Sequence, residues 1–127
     1  MTKEELSKYF YIKREIEQIN RKIKEIDCTF LSANKINGIK YERHLSNPQE
    51  QRIILIEKYL NELEEKKNEA FIELIKIEKF ISSIDDPDVR VIFNYRYVEL
   101  KSWNEISKLV YMSERTVFYK HNIYLNK

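Results

Sequence analysis

Two long stretches of the chain repeat apolar residues every three or four positions. In the first, Tyr9, Ile12, Ile16, Ile19, Ile23, Ile26 and Phe30 lie on one helical stripe, and Glu15, Glu17, Lys22, Lys24 and Glu25 fill the other faces. This heptad spacing predicts a long amphipathic helix from about Lys3 to Asp27. In the second, Ile53, Ile56, Leu60, Leu63, Lys67, Ala70, Leu74, Ile77, Ile81 and Ile84 keep the same alternation, and Phe71 and Ile75 widen it. A second long helix is expected to start after Pro48 and run to about Ser82. Between them the period breaks at Cys28–Pro48, which carries Asn34, Asn37, Gly38 and the turn signal Ser46-Asn47-Pro48, and reads as a connector.

The remaining residues carry three helix starts in close succession. Asp85 or Asp86 before Pro87 is an N-cap with proline in the first turn. Ser102 with Glu105 has the spacing of a capping box. Ser113 opens a last helix. The expected helices are about Pro87–Val98, Trp103–Val110 and Glu114–Leu125. Val89, Ile92, Phe93, Tyr97, Ile106, Leu109, Met112, Val117, Tyr124 and Leu125 are available to close a core. The fold class is therefore all-α: a long helical hairpin or coiled coil over residues 1–84, then a helix-turn-helix over residues 85–127. A unit of about 40 residues has little core of its own and is expected to lean on the second long helix.

Two long seams joined by one loop fold back as an antiparallel hairpin, or pair with a second chain. Heptads alone do not choose. Ile12, Ile16, Ile19, Ile23, Ile56, Leu60, Leu63 and Leu74 are the candidate oligomerisation residues, with a homodimer the simplest assembly.

Composition narrows the class. One glycine, two prolines and 35% charged residues among 127 suit solvated helices, and 43% apolar residues suffice for a core. No apolar run reaches the roughly 20 residues that span a bilayer. The single cysteine, Cys28, and the lack of a signal-like start are those of a cytoplasmic chain. His44 and His121 are isolated, without ligand spacing for a metal. No phosphate loop, nucleophile motif or paired catalytic carboxylates point to an enzyme or a cofactor.

Two short helices across a tight turn, the second lined with polar and basic side chains, point to double-stranded DNA. Arg115, Thr116 and Tyr119 fall in the turns that enter the major groove in such folds. Arg115 can grip guanine, and Thr116 can meet a thymine methyl or a phosphate. Lys120, His121 and Asn122 follow on the same helix, with Lys120 and His121 suited to phosphates. Ser102 and Ser113 stand at helix N-termini, where amides meet phosphate. Trp103 is expected to pack on the preceding helix, and Arg96 to pair with Glu105. The net charge is only +2, so affinity per subunit should be modest. From Ser113 onward, however, Arg115, Lys120 and Lys127 face a single acid, Glu114.

The run from Arg96-Tyr97 through Ser102-Trp103-Asn104-Glu105-Ile106-Ser107 resembles region 4 of bacterial sigma factors. Ser113-Glu114-Arg115-Thr116-Val117, with His121 and Leu125, is similar to the phage-encoded RinA/ArpU-like transcriptional regulators, and so is Tyr9-Phe10-Tyr11-Ile12-Lys13-Arg14-Glu15-Ile16. The resemblance implies long helices before a sigma-region-4-like helix-turn-helix, and a phage or prophage regulator that binds DNA and activates transcription. The sequence departs from that pattern at Leu100 and Tyr111, where glycine is usual, at Ser107 for alanine, and at Lys120 for an apolar residue. A left-handed backbone at Tyr111 would cost about 1 kcal/mol or more. Two other readings stay open. One is a DNA-packaging component like a small terminase subunit. The other is a helical protein that binds RNA polymerase or another regulator without touching DNA.

Overall fold

A computed structural model describes residues 1–36 and 48–125, with side chains described for 1–27 and 48–125. The protein is all-α. Its elements are α1 (Lys3–Ile36), α2 (Pro48–Ser82), α3 (Pro87–Phe93), a π-helical turn (Asn94–Val98), α4 (Trp103–Val110) and α5 (Glu114–Leu125). No described helix is long and apolar enough to cross a membrane. The expected connector is shorter than its period break suggested, because α1 runs on to Ile36. Nothing in Cys28–Ile36 forbids this: the stretch holds neither glycine nor proline. Gly38, His44 and the Ser46-Asn47 turn signal lie outside the described residues.

The chain divides into two compact units, one of residues 1–13 with 69–127 and one of residues 14–68. The division falls inside α1 and α2, not at the boundary between residues 84 and 85 that the helix starts implied.

In the unit of residues 14–68, α1 and α2 run antiparallel. Lys66 Nζ lies 2.8 Å from Glu15 Oε2, and Lys22 Nζ stands 5.5 Å from the Tyr59 ring centre. Moving forward on α1 from Glu15 to Lys22 means moving back on α2 from Lys66 to Tyr59, as a hairpin requires. Ile16, Ile19 and Leu63 are buried between them, and Ile23 and Ile56 are half-buried. Two seam positions differ from expectation. Leu60 is 48% exposed, and Ile53 is exposed with it. Arg52, Tyr59 and Lys66 are less exposed and line the inner stripe instead. Long amphipathic side chains cover apolar surface with their stems and keep their polar tips in water. Periodicity that scores only apolar residues therefore places the stripe one residue off in this part of α2.

In the other unit, Leu6 and Tyr9 of α1, Ala70, Ile77 and Ile81 of α2, and Ile84 just beyond it are buried. Ile12 and Leu74 are half-buried. Asp86, in extended conformation, caps α3 by accepting the Asp88 N–H at 2.9 Å. Pro87 at the first helical position has no N–H to leave unpaired. Val89, Ile92 and Phe93 point inward from α3, and Phe80 of α2 packs on Phe93 and Tyr124 with ring centres 6.1 and 6.0 Å apart. Ile92, Ile106 and Val117 form the centre where α3, α4 and α5 meet, flanked by Tyr95, Trp103, Val110 and Met112. Leu109, expected in this core, is 45% exposed.

Candidate nucleic-acid interface

α4 starts where its sequence said it would. The Ser102 hydroxyl accepts the Glu105 N–H at 3.2 Å and donates to Glu105 Oε1 at 3.1 Å, while the Ser102 N–H reaches the same oxygen at 3.4 Å. These bonds, the backbone one first, hold the Glu105 carboxyl below the usual carboxylate range. The Ser102 hydroxyl is thus committed to Glu105.

Two non-glycine residues take left-handed backbone, Leu100 with φ 59° and Tyr111 with φ 57°. They are the two positions singled out above as departures from the pattern that the sequence resembles. Leu100 follows the π-helical turn, in which the Glu99 N–H reaches back to Asn94 O, and the Lys101 N–H then closes onto Tyr95 O. Tyr111 ends α4, and the Met112 N–H closes onto Ser107 O at 3.1 Å. A left-handed L-residue with a Cβ costs about 1–2 kcal/mol, which the packing of α4 on α5 must offset.

Ser113 then opens α5. Its hydroxyl accepts the Thr116 N–H at 3.1 Å and donates to Thr116 Oγ1 at 2.9 Å, and its carbonyl accepts the Val117 N–H. Only three residues, Tyr111, Met112 and Ser113, separate α4 from α5. Val117 and His121 face inward and are fully buried. The opposite face carries Arg115, Phe118, Tyr119, Asn122 and Ile123, which line one shallow depression. Arg115, Phe118, Tyr119 and Asn122 follow i, i+3, i+4, i+7 spacing, so they form a single stripe two turns long.

Of the residues expected to meet DNA, Arg115, Tyr119 and Asn122 are brought together on this outward stripe. Thr116 is exposed at its edge, its hydroxyl tied to Ser113. One assignment is corrected. His121 is fully buried and cannot reach a phosphate. Its Nε2 meets the Tyr97 hydroxyl and its Nδ1 meets Asn122 Oδ1 at 3.1 Å. Lys120 leans toward the start of α3, where its Nζ is 3.3 Å from Asp88 Oδ2. The sequence could not see this pairing, because Asp88 lies 32 residues away on another helix.

Aromatic rings enclose His121. Ring centres of Trp103, Phe93, Tyr97 and Phe118 lie 4.8, 5.0, 5.6 and 6.2 Å away. Burial, ahead of every other cause, pushes the imidazole down to about 4 and the Tyr97 hydroxyl up to about 12. With Asn122 Oδ1 accepting from Nδ1–H, Nε2 is the acceptor of the Tyr97 O–H in a neutral ring. Trp103 packs on α5 as well, edge-on to Phe118 at 5.2 Å. Arg96 does not pair with Glu105. Its guanidinium stacks 4.4 Å above the Trp103 ring and donates to Lys101 O at 3.1 Å. Phe118 and Ile123 were missed by sequence reading, although their spacing from Arg115 and Tyr119 already placed them on the same face. Comparison of the chain with protein-family models, with curated proteins and with solved structures gives no match in any of the three.

Proposed function

We propose that the chain is a sequence-specific DNA-binding regulator of phage or prophage type, an activator, whose α4 and α5 act as a helix-turn-helix. The observation that carries this reading is the outward stripe of α5. Arg115 and Asn122, the two side-chain types that pair bidentately with guanine and adenine, sit seven residues apart on one exposed face. The three-residue turn and the capped start of α5 support it, since they fix the phase of that face. Charge agrees: over residues 101–125, Lys101, Lys108, Arg115 and Lys120 outnumber Glu105 and Glu114.

In this reading one subunit binds weakly, and self-association multiplies the affinity. The buried seam residues Ile16, Ile19 and Leu63 are already used within the chain. A homodimer therefore forms through apolar positions left exposed on α2, Leu60 first among them, and RNA polymerase is the further partner of an activator.

The deciding experiment is selection of double-stranded DNA from a random pool by the full chain, followed by titration at several salt concentrations. Enrichment of one sequence, with an affinity that falls steeply as salt rises, supports the reading. No enrichment and no binding at low salt ends it. A helical protein that docks on another protein then becomes the better account, and the exposed Phe118, Tyr119 and Ile123 favour that second reading.

A further inference from the structure

The outward stripe of α5 is not the uniformly polar face that phosphate binding alone would use. Tyr119 is 64% exposed, Ile123 43% and Phe118 41%. Phe118 rests one edge on Trp103, which holds it in place. Asn122 is steadied by His121 Nδ1, which leaves its amide nitrogen free to donate. The apolar groups thus share the depression with two hydrogen-bonding side chains, Arg115 and Asn122, of which Asn122 is held in place.

Among double-stranded DNA features, only one is apolar and projects into the major groove: the C5 methyl of thymine. Hydrophobic side chains that stay in water gain nothing, whereas each methyl they cover is removed from water. Arg115 and Asn122 are about 10 Å apart along the helix, at 1.5 Å per residue. That is about three base-pair steps of 3.4 Å. Tyr119 and Ile123 are one turn, about 6 Å, apart, which is about two such steps. We propose that α5 reads thymine methyls through Tyr119 and Ile123, with Phe118 closing the side of the contact, in a site where guanine faces Arg115 and adenine faces Asn122. The inference rests on the DNA-binding reading and adds the chemistry of the preferred bases. Arg115 is the charged side chain on this face and no acid among the described residues lines it, which favours a polyanionic occupant over a neutral protein surface.

The test replaces thymine by deoxyuridine, one position at a time, in the duplex selected by the full chain. This removes a methyl and leaves base pairing and charge unchanged. Binding is read by fluorescence anisotropy at fixed salt. One or two positions should each weaken binding about three- to fivefold, the worth of one buried methyl. The same replacements should have little effect on Tyr119→Ala or Ile123→Ala, whose helical spectrum should match the parent because both side chains are exposed. A duplex bound as well with deoxyuridine as with thymine at every position overturns the methyl reading and leaves DNA binding standing. Equal methyl losses in the parent and in both variants overturn the assignment to Tyr119 and Ile123. Absence of any DNA binding at low salt removes both readings together.

Discussion

The Tyr97 hydroxyl and the His121 imidazole are joined by a buried hydrogen bond that spans 24 residues of sequence. It ties the π-helical turn to the middle of α5. The ring that holds the inner face of α5 is therefore the same ring whose other nitrogen steadies Asn122 on the outer face.

Acid should loosen this arrangement. An unfolded histidine takes up a proton near pH 6.5, while the folded His121 does so only at about 4. Burial is the main cause, with Lys3 and Arg96 adding repulsion and the Asn122 bond opposing them. Between those values the unfolded state binds the extra proton, so stability rises with pH through the window and is lost as pH falls from about 6.5 toward 4. The loss over the whole window is on the order of 2–3 kcal/mol. Thermal melts at pH 7 and pH 5 should differ more for the parent than for His121→Gln. Equal pH dependence in the two would remove His121 as the cause.

Tyr111→Gly should stabilise the protein by about 1 kcal/mol, because glycine takes a left-handed backbone without the Cβ clash. Tyr111 is 94% exposed, so its ring contributes little packing to lose. Leu100→Gly relieves the same strain but also removes a side chain that lines a cleft with Phe10 and Tyr97, so it should gain less. Denaturant midpoints of the two variants check the order. A destabilised Tyr111→Gly would mean that the tyrosine makes a contact worth more than the strain.

Ser102→Ala should cost about 1 kcal/mol through loss of the α4 cap. Lys120→Ala should change stability by less than about 1 kcal/mol, because its bond to Asp88 is a solvent-screened surface pair. In DNA titrations Lys120→Ala should alter the salt dependence little. Arg115→Ala should cost about 1–3 kcal/mol on the selected site and relax its base preference. If Lys120→Ala weakens all sequences equally and Arg115→Ala none, Lys120 is the DNA contact and Arg115 is not.

A fragment of residues 85–127 should not fold cooperatively. The unit that contains it buries Leu6, Tyr9, Ile77 and Ile81, all outside that fragment. A sharp thermal transition from the fragment alone, followed by circular dichroism, would contradict this.

Much of the fold was legible because local rules wrote it. Asp86 with Pro87, Ser102 with Glu105, and Ser113 mark helix starts that depend only on neighbours in sequence. The stripe of α1 was legible because Ile16 and Ile19 are apolar and buried alike. Legibility failed where burial and polarity part company. Tyr59 and Lys66 face inward with polar tips, and Leu60 faces out. In the candidate interface, Arg115, Tyr119 and Asn122 could be placed by helical phase from Ser113. His121 could not, because a histidine reads as polar until a tyrosine 24 residues away supplies its partner. The pairing of Lys120 was hidden for a similar reason, since its acid lies on another helix.

The unit that holds α3, α4 and α5 is assembled from two separate stretches of chain, residues 1–13 and 69–127. This sets an order in time. During synthesis at about 5–20 residues per second, Leu6 and Tyr9 are made seconds before the residues that will cover them. Until residues 69 onward emerge, those apolar side chains have no permanent shelter in their own unit. A ribosome stalled before residue 69 would leave both exposed, so a chaperone that binds nascent apolar segments would find its target in the first turns of α1 and lose it only when the second stretch of the unit folds onto them.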